Sequence, residues 1–216
     1  MIKEMVSNIR WLGHDGFLIK ANDKNIVIDP YELDKAVSAD IILISHEHFD
    51  HCSPDDVAKV QKPGAVIITE AKSAAKLAAA NLSGDVRVVK PGDTVTLDDI
   101  TVTAVPAYNT NKNFHPKDNA WIGFVVTVNN VNNVKIYHAG DTDLIPEMEG
   151  LDVDIALLPV SGTYVMTWEE AVEAVKKIMP EIAIPMHYGG IVGTSEDAEN
   201  FKSALAGVCD VVVLKK

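Results

Sequence analysis

Six consecutive residues, His46-Glu47-His48-Phe49-Asp50-His51, hold three of the chain's seven histidines together with an aspartate. Neutral imidazole nitrogen and carboxylate oxygen are the donors that divalent metals take, for zinc at about 2.0–2.2 Å. A ligand set must converge to within a few ångströms, which side chains grouped at a rigid strand end can do. His46 and His48 stand two apart, and Asp50 and His51 follow two and three residues later. A strand end running into a helix start fans such side chains into two adjacent groups. A solvated polar loop rarely concentrates histidine in this way, so the stretch reads as part of a metal centre.

The surrounding elements fit that placement. "ADIILISH", ending at His46, is a nearly unbroken apolar run, the pattern of a strand buried on both faces. Ser53-Pro54-Asp55-Asp56, just after the cluster, has the form of a helix start: a capping serine, proline in the first turn, and acids at the positive end. Upstream, "NIRWLG", "GFLIKA" and "NIVIDP" read as short strands. Downstream, "AVIITE" reads as a strand and "AKSAAKLAAANL" as a helix ending near Gly84. A β-rich middle follows, with "VRVVK", "DTVTL", "ITVTAVP", "AWIGFVVTV" and "VKIYHAG" separated by turns such as "NNVNN" at 129–133. The last third alternates: "VDIALLPV" as strand, a helix opened by the capping box Thr167-Trp168-Glu169-Glu170, "IAIPMH" as strand, "SEDAENFKSALA" as helix and "CDVVVLKK" as a closing strand. "NIVIDP…ADIILISH" and "VKIYHAGD…VDIALLPV" hint at internal duplication. No linker or low-complexity segment divides the chain, which predicts one domain over 1–216, an α/β fold of four layers, α/β/β/α.

"His-x-His-x-Asp-His" after a buried strand resembles the signature of the metallo-β-lactamase superfamily of metal-dependent hydrolases. Within it, "WLGHDGFLI" and "YHAGDT" are similar to small proteins of ascorbate-phosphate lactonase type. The resemblance implies that Asp29, ending "NIVIDP", is the carboxylate that orients ligands. It likewise implies that Asp141, in "YHAGDTD", bridges two metals and that His187, in "IPMHYGG", is the last ligand. One departure stands out. Where the family has a further histidine directly after a strand, this chain has Asn109, and the next candidate is His115 in "NTNKNFHPKDN". Either His115 supplies the ligand from a longer loop, which is the reading adopted, or the first metal has three protein ligands and water.

The implied ligand sets are His46, His48, His115 and Asp141 for one metal and Asp50, His51, Asp141 and His187 for the other. Metal coordination brings the pKa of a bound water from 15.7 to about 7, and Asp50 and Asp141 would act on the resulting nucleophile. Two zinc ions are the default for such nitrogen and oxygen donors, with manganese or iron compatible. His138 and His14 are expected beside the ligands, fixing their orientation. Asp15 and Asp143 read as surface turn residues, and Cys52 as a buried thiol. Lys112, Lys117 and Asn109 form a cationic, amide-rich patch that, with Tyr164, is expected to bind a small anionic substrate carrying an ester, lactone or phosphodiester bond. Three other classes compete, one of them a nuclease, which would share the ligand motif but is expected to carry a large inserted domain and basic surfaces. A di-iron oxidoreductase would resemble "His-x-Glu-x-Asp-His", where this chain has His48, and a non-catalytic metal-binding module would follow from an incomplete ligand set.

The bulk numbers bound the rest. With 216 residues, 47% hydrophobic and 23% charged, a packed core is expected. A formal charge of −12 argues against long nucleic acids as partners. No apolar run is long enough to span a bilayer, and no signal-peptide pattern opens the chain, so a cytoplasmic protein without a membrane partner is expected. Related small enzymes often self-associate, which leaves room for a homo-oligomer.

Overall fold

Alternation along the strands decides what each face of the first sheet covers. In a computed structural model describing residues 2–35, 37–129 and 133–216, that sheet runs in sequence order through β1 (Ile9–Gly13), β2 (Gly16–Ala21), β3 (Lys24–Ile28), β4 (Ala39–Ile44), β5 (Gln61–Thr69) and β6 (Asp85–Val88). Ile26, Ile28, Ile41 and Leu43 join the large core, whereas Val27, Ile42 and Ile44 join a smaller one with Val57, Val60 and Leu77. Those last three belong to α2 (Pro54–Val60) and α3 (Ala71–Ala79), which cover the outer face. Both faces of β3 and β4 are therefore dry, as their apolar runs require.

The second sheet contains β7 (Thr94–Leu97), β8 (Ile100–Pro106), β9 (Ile122–Val128), β10 (Val134–His138), β11 (Ile155–Pro159), β12 (Ile182–Met186) and β13 (Asp210–Val211), in the order β13-β12-β11-β10-β9-β8-β7. Its inner residues Ile100, Val102, Phe124, Val126 and Ile136 meet Phe17, Ile19, Ile26 and Ile28 of the first sheet in the central core. On its other side lie α4 (Trp168–Ile178) and α5 (Ser195–Ala204), which bury Ala171, Val175, Ala198 and Phe201. The expected α/β/β/α sandwich is thus observed. Both sheets also turn from antiparallel to parallel pairing at matching points, at β3–β4 and at β10–β11, in the two stretches whose sequences hint at duplication.

Local signals account for the helix starts. The Ser53 side chain accepts from the Asp56 N–H with Pro54 in the first turn, and Thr167 with Glu170 forms the full capping box. Three expectations differ. A short helix, α1 (Ile2–Ser7), precedes β1 and is held by burial of Met5, not by any cap in the sequence. The closing strand is only Asp210–Val211, because pairing with β12 ends there. The alanine-rich helix stops at Ala79. Of the turn at 129–133, residues 130–132 lie outside the described residues. Among the described residues, no helix is long and apolar enough to cross a membrane.

Cys52 sits wholly inside the smaller core, and burial pushes its thiol up to about 11. Iodoacetamide at pH 8 is expected to leave Cys52 unmodified in the native protein and to label it after denaturation, read by peptide mass spectrometry.

Candidate metal centre

Topology brings six loops to one edge of the sandwich. β3, β4, β10 and β12 end there, delivering Asp29, the 46–51 segment, Asp141 and His187. β2 is antiparallel to β3, with Phe17 opposite Ile28, so the turn between β1 and β2 lies beside Asp29. That turn carries His14 and Asp15. The loop after β8 supplies His115. Asp29, His14 and His187 all adopt positive φ, at 42°, 51° and 59°, a concentration of unusual backbone typical of functional sites.

His46, His51, His115 and His187 each have one nitrogen anchored and one aimed inward. His51 donates from Nδ1 to Asp29 Oδ2 at 2.9 Å, while Asp29 also accepts from the Ser45 N–H and hydroxyl. His46 donates from Nδ1 to Ser45 Oγ (3.0 Å) and His187 from Nδ1 to Ser161 Oγ (2.8 Å). His115 Nδ1 lies 3.2 Å from both Asn109 Oδ1 and the Tyr164 carbonyl. The free nitrogens then converge. His46 Nε2 is 3.0 Å from His48 Nδ1, and these two group with His115. Asp141 stands between the sets, with Oδ2 at 3.1 Å from His115 Nε2 and 3.4 Å from His187 Nε2, and Oδ1 at 3.3 Å from His51 Nε2.

These residues fit divalent ions. Two ligands at 2.0–2.1 Å from a tetrahedral ion stand about 3.3 Å apart, close to the separations just given. The buried atoms His51 Nε2, His115 Nε2, His187 Nε2 and Asp141 Oδ1 have no hydrogen-bond partner, an arrangement that is costly unless a cation completes it. Burial, reinforced by His51, holds His46 well below the ordinary imidazole range, and burial lowers His48 too, so both offer neutral lone pairs. Burial opposes charge on His51 and His187, yet the Asp141 carboxylate outweighs it, placing His51 well above that range and His187 at about 9. Burial would also raise Asp50, but the hydrogen bond from His14 and the charge on His51 bring it down to about 2.

The surrounding contacts explain several positions. His14 Nε2 lies 3.1 Å from Asp50 Oδ2. His138 accepts the Gly140 N–H at Nδ1 and so donates from Nε2 to the Asp15 carbonyl at 2.9 Å. It therefore touches the backbone of the first turn and not a ligand's side chain. Gly140 is at φ 63°, and a Cβ there would come within 2.9 Å of the Ile122 carbonyl, so this tight turn before Asp141 requires glycine.

The loop 109–115 corrects the expected substrate patch. Asn109 is buried behind His115: its Oδ1 accepts from the His115 N–H and its Nδ2 donates to Asp143 and the Tyr164 carbonyl. It positions His115, and its side-chain oxygen and nitrogen are both engaged within the protein. Lys112 is paired with Asp143 at 2.8 Å and faces Glu170, and Lys117 is paired with Glu147 at 3.0 Å over the Tyr108 ring. Each lysine is thus engaged by a carboxylate, Lys112 in a half-buried pair and Lys117 in an exposed one. Tyr164 is exposed, with its ring against Phe114 at 4.6 Å. Asp143, expected at the surface, is fully buried and accepts from Asn109, the N–H groups of Thr110 and Asn111, and Lys112. Asp143→Ala is expected to destabilise the EDTA-treated protein by about 2–4 kcal/mol, measured by urea unfolding, because it orphans several buried donors.

Sequence reasoning missed three contributors. Trp121 packs against His46, His48 and His115, with ring centroids 4.9, 4.7 and 5.4 Å away. Asp15, taken for a surface residue, is completely buried among the histidines. Ser161 anchors His187. A tryptophan after a loop, a Gly-His-Asp-Gly turn and a serine after a buried strand carry no local mark of metal chemistry.

Comparison with known proteins agrees with this geometry. A model of the beta-lactamase superfamily domain matches residues 8–187. A UPF0173 metal-dependent hydrolase of Thermoplasma acidophilum is 34% identical over 219 residues, covering 95% of this chain and 93% of its own. A crystal structure of a Parabacteroides distasonis protein superposes with a TM-score of 0.83 at 35% identity, covering 96% of this chain and 93% of that one. The diiron β-hydroxylase CmlA of Streptomyces venezuelae shares the fold at a TM-score of 0.73, with 13% identity and 52% of its chain covered.

Proposed function

The chain belongs to the beta-lactamase superfamily, and from that premise we propose that it is a metal-dependent hydrolase working with two divalent ions, zinc by default. His46, His48, His115 and Asp141 would hold one ion, and Asp50, His51, Asp141 and His187 the other. The observation that carries this reading is the ring of unpartnered imidazole nitrogens facing both oxygens of one buried carboxylate, Asp141. Bound ions would supply a water with a pKa near 7 and polarise the bond under attack.

The chain's own residues do the rest. Asp29, Ser45, Ser161 and Asn109 hold the imidazoles in the tautomers that present lone pairs inward. Asp50 stays ionised and, with one oxygen held by His14, aligns the attacking water as a hydrogen-bond acceptor. Trp121 closes the side of the His46 set and keeps bulk water from it.

The substrate is a small molecule with an ester, lactone or phosphodiester bond. The large exposed apolar side chains near the ligands include Phe49, Phe114 and Tyr164, and the loop lysines are engaged with carboxylates. This favours esters and lactones with an apolar group over the anionic substrates expected from the sequence. A panel of esters, lactones and phosphodiesters should show turnover that EDTA removes and zinc or manganese restores. Turnover that survives complete metal removal, or its absence from the whole panel with the ions in place, would refute the reading.

A further inference from the structure

Asp15 is the one carboxylate at the centre whose two oxygens are both buried and both without a hydrogen-bond partner. Its turn is clamped from three directions. His138 holds the Asp15 carbonyl at 2.9 Å, while the His14 carbonyl accepts from Trp11 Nε1 at 2.8 Å and from the His187 N–H at 3.2 Å. Gly16 packs so closely that a Cβ would lie 3.2 Å from the Asp29 carbonyl. The carboxylate is thus fixed in place, with Oδ2 at 3.5 Å from His51 Nε2, 3.8 Å from His14 Nε2 and 3.9 Å from His187 Nε2. The inward nitrogens of His51 and His187 are themselves unpartnered, and Asp15, His51, Asp141 and His187 can each present one donor atom within 4.8 Å of all the others. A rigid, wholly buried carboxylate with no donor is expensive unless a cation faces it.

We propose that Asp15 is an additional ligand of the ion at His51 and His187, so that the two positions of the centre are chemically unequal. This rests on the two-ion reading above. One position has three imidazoles and Asp141, the four donors of a closed tetrahedral site. With Asp50, which groups with His51 and His187 on the His14 side, the other would have two imidazoles and three carboxylates, Asp15, Asp50 and Asp141. Five donors exceed a tetrahedral set, and their oxygen content suits harder ions such as manganese or ferrous iron better than the first position does.

Cobalt(II) distinguishes the two environments by its visible absorption, which is intense for four-coordinate ions and weak for five- or six-coordinate ones. Titration of the EDTA-stripped full chain should bind two equivalents, one giving intense bands and the other only weak bands. In the near-isosteric Asp15→Asn, the intense bands should persist while affinity for the weakly absorbing ion falls at least tenfold, a loss that outer contacts alone can reach. Wild-type protein binding two equivalents with equally intense bands would overturn the proposal and leave the two-ion reading intact. So would an Asp15→Asn variant that binds both ions as tightly as wild type. Fewer than two equivalents in the wild type would overturn both. Melting of the stripped variant checks its folding, and if it does not fold, the wild-type spectra decide alone.

Discussion

Asp141→Ala is expected to lower kcat/KM for any hydrolysed substrate by roughly 10³-fold or more, about 4 kcal/mol of transition-state stabilisation. The size follows from position. Asp141 lies within 3.1–3.4 Å of His115, His51 and His187, and among the described residues it is the carboxylate paired with histidines of both sets. Its removal leaves one set with imidazoles alone and frees the distance between the sets. Asp141→Asn keeps the shape but withdraws the charge that the raised His51 and His187 face. It should therefore lose most of the activity as well, with less disturbance to folding. Rates for the two variants, with metal content measured on the same samples, check this. Activity within tenfold of wild type in Asp141→Ala would remove the carboxylate from the account.

His115→Ala carries the second large effect: metal content is expected to fall from about two ions per chain to about one. His115 lies in a longer loop where an asparagine occupies the position directly after the strand, yet its Nε2 reaches Asp141 and its ring stands 5.3 Å from His46 and 5.2 Å from His48. The loop holds this pose through Asn109, which clasps the His115 backbone and ring, and through Asp143 beneath it. Asn109→Ala should accordingly weaken the same ion by 10–100-fold without abolishing the site. Elemental analysis after dialysis against a graded chelator separates these outcomes. A His115→Ala protein that retains the wild-type metal content would return the position to three protein ligands.

What could be read from the sequence was what is local. Helix capping at Ser53 and Thr167, the two-faced burial of β4 and the spacing of His46, His48, Asp50 and His51 all depend on residues within a turn or a strand of one another. Asp15 and Trp121 reach the centre only because antiparallel pairing brings the β1–β2 turn beside Asp29 and the start of β9 beside the histidines, and strand order is not written in any short segment. The partners of the lysine patch were hidden for the same reason. Lys112 looks like a free cation in its own loop, but its partner Asp143 is 31 residues away, just past Asp141. Asn109 looked like a defect in a motif, and it is the group that turns His115 into place.

The most direct test of the central claim is metal stoichiometry in the wild-type protein, stripped with chelator, reconstituted with zinc and measured by elemental analysis against an amino-acid count of the same sample. Two ions per chain are predicted. One ion or none after reconstitution would contradict the paired centre and leave the buried, unpartnered imidazoles around Asp141 without their cations.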